Sequence, residues 1–206
     1  MNIDPLNITP FEIYKILTGS VLPRPIAWVS TLDSLGNLNL APFSFFTVAS
    51  VNPPVLCFSP LLNDDRLEKD TLLNIRQTHE FVVNIVSHTL VQKMNQTSEA
   101  YPAGVSEFTQ AGVTAHPSAV IKVPGVQESL VRFECTLHQI ISLGSDPMAG
   151  NLVLGNIRWI YLHPDIYQDG KVDGETLDPV GRLAGNYYST IRDRFEIARP
   201  LLQTEE

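Results

Sequence analysis

Three stretches combine cationic, hydroxyl and aromatic side chains in a way that could hold a phosphorylated, flat organic molecule. In Lys69-Asp70-Thr71 a cation and a hydroxyl stand at the start of Asp70 to Gln77, where Leu72, Leu73 and Ile75 have helical spacing. The first turn of a helix presents unpaired N–H groups and the positive end of its dipole, which favour an anion. Alone, these residues read better as Asp70 or Thr71 capping a helix beside a solvated lysine. In Pro23-Arg24-Pro25-Ile26-Ala27-Trp28-Val29-Ser30-Thr31 two prolines fix the backbone around Arg24. Strand alternation then puts Arg24, Ile26, Trp28 and Ser30 on one face. An edge strand with an incidental arginine reads equally well. The third stretch, Ala41-Pro42-Phe43-Ser44-Phe45-Phe46, sets a hydroxyl among aromatics and by itself passes for core packing.

Other chemistries lack their residues. The sequence has no His-Glu-x-x-His, Gly-x-Ser-x-Gly, Gly-x-x-x-x-Gly-Lys-Ser/Thr or Gly-x-Gly-x-x-Gly, so zinc peptidase, α/β-hydrolase, P-loop and Rossmann readings have no foothold. The five histidines are scattered without metal-ligand spacing, and no metal is expected. Cys57 and Cys135 are too far apart for a Cys-x-x-Cys motif and read as buried apolar fillers. A net charge of -8 argues against nucleic acid but leaves room for a local cationic pocket. The start has no secretory pattern and no segment approaches a membrane span, so the expectation is a cytoplasmic protein with no membrane partner. The Asn-x-Thr triplets at Asn7 and Asn95 then carry little weight as glycosylation sites.

The elements that must position these residues are mostly strands. With 206 residues, 44% of them apolar and 17% charged, the chain suits one globular domain. Thr9-Pro10-Phe11-Glu12 predicts a helix start, with Gly19 as its stop. A hairpin follows, from Pro25–Thr31 through a turn at 33–37 into Leu38–Ala41. Further extended runs are Phe45 to Val51, Pro54 to Ser59, Glu80 to Ser87, Val131 to Leu143 and Asn151 to His163. Helical spacing returns only at Asp70 to Gln77 and Thr89 to Ser98, while 101–105, 116–125 and 169–185 read as long loops. Without βαβ alternation, a mainly β, antiparallel small barrel with short helices is expected.

In chain order, and with Asn39-Leu40 ahead of Ala41, the three stretches resemble the flavin reductase-like, FMN-binding split barrels, specifically the flavoredoxin-like branch. Pro53-Pro54 running to Ser59, Lys69 to Ile75, Glu80-Phe81-Val82-Val83-Asn84 and Gly181-Arg182-Leu183-Ala184-Gly185-Asn186-Tyr187-Tyr188 extend the match. The resemblance implies one split β-barrel domain over 1–206, with a C-terminal loop and tail from 165, forming a homodimer with FMN near the interface. It implies that Lys69 and Thr71 hold the phosphate with the help of the helix start, and counts Asp70 among the cofactor-binding residues. It assigns Arg24, Pro25, Ile26, Trp28, Ser30, Thr31, Ser44, Phe45, Phe46 and Ser59 to the rest of the cofactor, with Arg182, Tyr187 and Tyr188 reaching in from the last loop. The activity implied is transfer of electrons from NAD(P)H or a protein donor to flavin or another small acceptor. One departure bears on the donor: where many NAD(P)H-using relatives carry Gly-Asp-His, this chain has Met148-Ala149-Gly150-Asn151. The alternative is a non-catalytic FMN carrier or flavin store.

Overall fold

A computed structural model describes residues 1–65, 67–102 and 105–200. Part of the loop expected at 101–105 and the last six residues of the expected tail lie outside them.

Helix α1, Pro10–Ser20, begins where Thr9 and Glu12 cap each other: the Thr9 N–H donates to Glu12 Oε2 at 2.8 Å, and the Glu12 N–H to Thr9 Oγ1 at 3.3 Å. The helix lies on the surface, for only Thr18 is buried. Thr9→Ala should therefore cost about 1 kcal/mol. Denaturant unfolding would register this as a lower midpoint at unchanged slope.

Seven strands form the main sheet: β1 Ala27–Leu32, β2 Leu38–Phe43, β3 Phe46–Val51, β4 Pro54–Phe58, β5 Glu80–Ile85, β6 Val131–Ser142 and β7 Asn151–Leu162. All pairings are antiparallel, in the order β2-β1-β5-β6-β7-β4-β3. The edge strands β2 and β3 are consecutive in the chain, with only Ser44 and Phe45 between them. The sheet must therefore curl until its edges approach at that end, yet among the described residues no ladder joins them. The Ser59 N–H donates to the Phe45 carbonyl at 2.9 Å and ties the junction to the end of β4.

Strand alternation separates two cores. Ala27 and Val29 face inward with Phe43, Phe58, Phe81 and Cys135, a core closed by Leu72 and Ile75 of α2, Asp70–Thr78. Ile26 and Trp28 face outward with Leu40, Met94 and Phe108, under α3, Val91–Gln96, and α4, Glu107–Gln110. Cys135 is the buried filler expected, whereas Cys57 is only half-buried.

The stretches read as loops are more ordered than expected. Val180–Arg182 (β8) pairs with Arg24–Pro25 on one side and Tyr188–Thr190 (β9) on the other. Ala115–His116 pairs with Gly125–Val126, and Tyr167–Gln168 with Lys171–Val172. Pairs this short fall below the four residues or so over which alternation can be recognised. The segment around 116–125 is also tied down by side chains of the sheet: Glu134 accepts from the Ala119 and Val120 N–H groups, and Ser30 Oγ donates to the Pro124 carbonyl.

Candidate functional site

The start of α2 leaves donors free. Lys69 occupies the N-cap position and its side chain makes no cap hydrogen bond. Neither Asp70 nor Thr71 supplies a cap, and their N–H groups have no partner among the described residues. Thr71 is 1% exposed, and its Oγ1 accepts from Asn39 Nδ2 at 2.9 Å, leaving the hydroxyl proton free to donate. The Asn39 amide also reaches Thr31 Oγ1 at 3.0 Å, and Thr31 in turn accepts from Asn74 Nδ2 at 3.0 Å. A strand side chain and a helix side chain are thereby locked in register beneath the donor cluster.

Lys69 has no salt-bridge partner among the described residues, and its Nζ stands 5.7 Å from the Phe43 ring centroid. Although the residue as a whole is solvent-accessible, the protein packed around its ammonium removes water and lowers its pKa. Two of the carboxylates nearby are engaged: Glu68 binds Arg76 at 2.8 Å, and Glu107 Oε2 accepts the Leu40 N–H at 3.0 Å. Burial, with the charge of Asp70 adding to it, pushes the Glu107 carboxyl up. Lys69, Thr71 and Phe43 line a hollow of about 290 Å³ whose far wall runs from Thr97 to Tyr101.

That hollow shares Pro42 and Ser98 with a second of about 480 Å³, walled by Tyr14 and Thr18 of α1, by Ile26 and Ser44, and by Arg182 and Tyr188. Together they make one cleft with donors at one end and a mixed apolar and hydrogen-bonding wall at the other. This is the geometry required by a phosphate attached to a flat ring system.

Of the residues expected in the site, Arg24, Ile26, Ser44, Lys69, Asp70, Thr71, Arg182 and Tyr188 line this cleft. Arg24 is 6% exposed, and most of its donors are committed: Nη1 to the Thr18 and Val21 carbonyls at 2.7 and 2.9 Å, Nη2 to the Leu183 carbonyl at 3.0 Å. Its larger role is to pin α1 and the 183–188 turn against β1. Pro25 is exposed and lies off the cleft. Trp28 is fully buried beneath it, donating from Nε1 to Thr97 Oγ1 at 2.9 Å and so supporting the far wall. Ser30 and Thr31 are likewise fully buried. Phe45 faces a separate apolar hollow beside Tyr14, Phe46 packs on the inner core, Ser59 sits behind Gly150, and Tyr187 is 75% exposed. Lining residues not expected include Tyr14, Asn39, Asn95, Ser98, Tyr101, Glu107 and Asn186. Asn95, at i+4 from Val91 on α3, was recognisable only as part of an Asn-x-Thr triplet.

Residues 18–176 match the family described as the flavin reductase like domain, and the chain belongs to that family. It is similar to nitrilotriacetate monooxygenase component B from Bacillus cereus, with 37% identity, 96% of this chain and 98% of the other covered, and a TM-score of 0.91. It is similar also to a 2-nitrobenzoate 2-nitroreductase from Pseudomonas fluorescens, at 30% identity, coverage of 100% and 99%, and a TM-score of 0.87. An uncharacterized protein of Halalkalibacterium halodurans is 38% identical, over 98% of both chains. Flavoredoxin of Desulfovibrio vulgaris shares the fold at a TM-score of 0.75, with 19% identity over 96% of this chain and 97% of the other. The chain is thus a flavin reductase-like protein of mainly β, antiparallel architecture. Among the described residues, no helix is long and apolar enough to cross a membrane, and no group of three or more His, Cys, Asp or Glu could hold a metal.

Proposed function

We propose that the chain is an FMN-dependent oxidoreductase, a single split-barrel domain that dimerises and moves electrons through a bound flavin. The observation that carries this reading is the start of α2, where a lysine, two N–H groups and a hydroxyl proton, all without a partner among the described residues, converge on one hollow of a continuous cleft. A flavin supplies the ability to take up and release electrons. The protein holds the phosphate through Lys69, Asp70 N–H and Thr71, and seats the ring between Tyr14, Ile26 and Tyr188, with Ser44 at its rim. The exposed apolar side chains Phe11, Ile16 and Leu17 of α1 support a dimer, which would cover them.

An absorbance spectrum of the purified protein, repeated anaerobically after NADH and after NADPH, tests the reading. Bound flavin bleached by either nucleotide is the expected result; a colourless protein that ignores added FMN overturns it. A carrier role draws support from the stretch Met148-Ala149-Gly150-Asn151, which stands where many NAD(P)H-using relatives have Gly-Asp-His and contains no histidine. It offers no imidazole to the cleft. Flavin reduced by dithionite and by neither nucleotide would select that role.

The lowered pKa of Lys69 sets a pH dependence. A bound phosphate favours the charged ammonium, so affinity is full below the lowered pKa and falls as pH rises through it. FMN affinity should therefore decline at a lower pH than an ordinary lysine would give. Titrations from neutral to alkaline pH should show that decline removed by Lys69→Arg, because a guanidinium stays charged.

A further inference from the structure

The cleft continues beyond the partition formed by Arg182, Tyr188 and Asn95. Arg182 Nη1 donates to the Tyr188 hydroxyl, which donates to Asn95 Oδ1 at 2.9 Å, and all three residues line both the ring hollow and an outer chamber of about 530 Å³. One wall of that chamber is a helical face: His88, Val91, Gln92 and Asn95 fall at i, i+3, i+4 and i+7 along the turn His88–Leu90 and α3. The other is one face of a ribbon, for Arg182 pairs with Tyr188 and Val180 with Thr190. The Arg182 guanidinium lies 4.6 Å from the Tyr188 ring centroid, which fixes the cation at the chamber's inner end.

Charge distinguishes this chamber and the adjoining ring hollow, whose lining has Arg24 and Arg182 and likewise no carboxylate, from the Lys69 hollow. The chain carries a net charge of -8, and the Lys69 hollow is bordered by Glu68, Asp70, Glu99 and Glu107. The outer chamber has an arginine, a histidine, amides and hydroxyls in its wall, and no carboxylate. Asp178, whose charge couples to His88, stands outside the lining and is neutralised by Arg192 at 3.1 and 2.6 Å. A donor-rich pocket kept free of acid in an acidic protein selects an anion.

We propose that the outer chamber binds an organic co-substrate through a carboxylate or phosphate group, anchored at Arg182 and beside His88 and Gln92, with the rest of the molecule directed through the partition toward the ring hollow. That the occupant is a redox co-substrate rests on the flavin reading; the anion site itself does not.

The test is calorimetric titration of the purified protein, with and without saturating FMN. The carboxylate probe is 2-nitrobenzoate, with nitrobenzene as its uncharged counterpart, and pyrophosphate is the phosphate probe. Gln92→Glu places a carboxylate in the chamber from an exposed helical position outside the ring hollow. It should weaken binding of the responding anion by roughly tenfold or more and leave FMN affinity unchanged. His88→Gln, which adds no charge, should cost less. A response to 2-nitrobenzoate alone assigns an organic acid, and one to pyrophosphate alone assigns a nucleotide phosphate. Equal binding of nitrobenzene and 2-nitrobenzoate, binding indifferent to Gln92→Glu, or binding of neither anion overturns the proposal. Anion binding that persists in a protein indifferent to FMN would overturn the flavin reading and leave the anion site standing.

Discussion

Lys69→Glu should weaken FMN binding by about 1–3 kcal/mol, roughly five- to 150-fold, because it replaces a charge-assisted donor to the phosphate by a like charge. Riboflavin, which lacks the phosphate, should bind the native protein and the variant alike. This comparison separates loss of the phosphate contact from damage to the cleft. Equal affinity of both proteins for FMN would remove Lys69 from the site. Because Lys69 is exposed at the end of a helix whose buried anchors are Leu72 and Ile75, folding should survive the change.

Gly155→Ala should be the most damaging small substitution in the sheet. A Cβ at that position would stand 2.2 Å from Phe81 Cζ, with two further ring atoms at 3.0 and 3.2 Å. Phe81 has no room to retreat, since it is fully buried and its ring packs edge-on against Phe58 with centroids 5.6 Å apart. Overpacking of this kind costs about 1–3 kcal/mol, sometimes more. In a chain this long, that lowers the thermal midpoint by roughly 2–12 °C. Combining Gly155→Ala with Phe81→Leu should recover part of the loss, as the smaller side chain clears the added methyl group. If the single variant melts with the native protein, Phe81 and Gly155 do not pack as described.

What was legible in the sequence was set by range. The Thr9–Glu12 cap, the β1–β2 hairpin and the long strands β6 and β7 depend on neighbours in the chain, and the structure has them where residue type and spacing put them. The inward and outward faces of β1 followed from alternation, but alternation does not say whether a face meets a ligand or a core. Trp28 and Ile26 share a face, yet only Ile26 reaches the cleft, because Met94 and Thr97 close over the indole. Asn39 stood only at the head of a family-like stretch and Asn95 only in an Asn-x-Thr triplet, and neither was marked as a site residue. Their parts depend on Thr71 and Tyr188, 32 and 93 residues away. The order of β8 and β9 was equally hidden, since each has only three residues and pairs across a turn or with Arg24–Pro25.

The two-residue step from β2 to β3 makes chain length there a structural variable. Ser44 borders the ring hollow and Phe45 holds the end of β4, so the same two residues meter both the curvature of the sheet and the width of the cleft. A single inserted residue would shift both at once, whereas the exposed turn Asp169-Gly170 between its two-residue strands has room for extra length. Variation among such proteins should therefore be counted in substitutions at 44–45 and in insertions at 169–170.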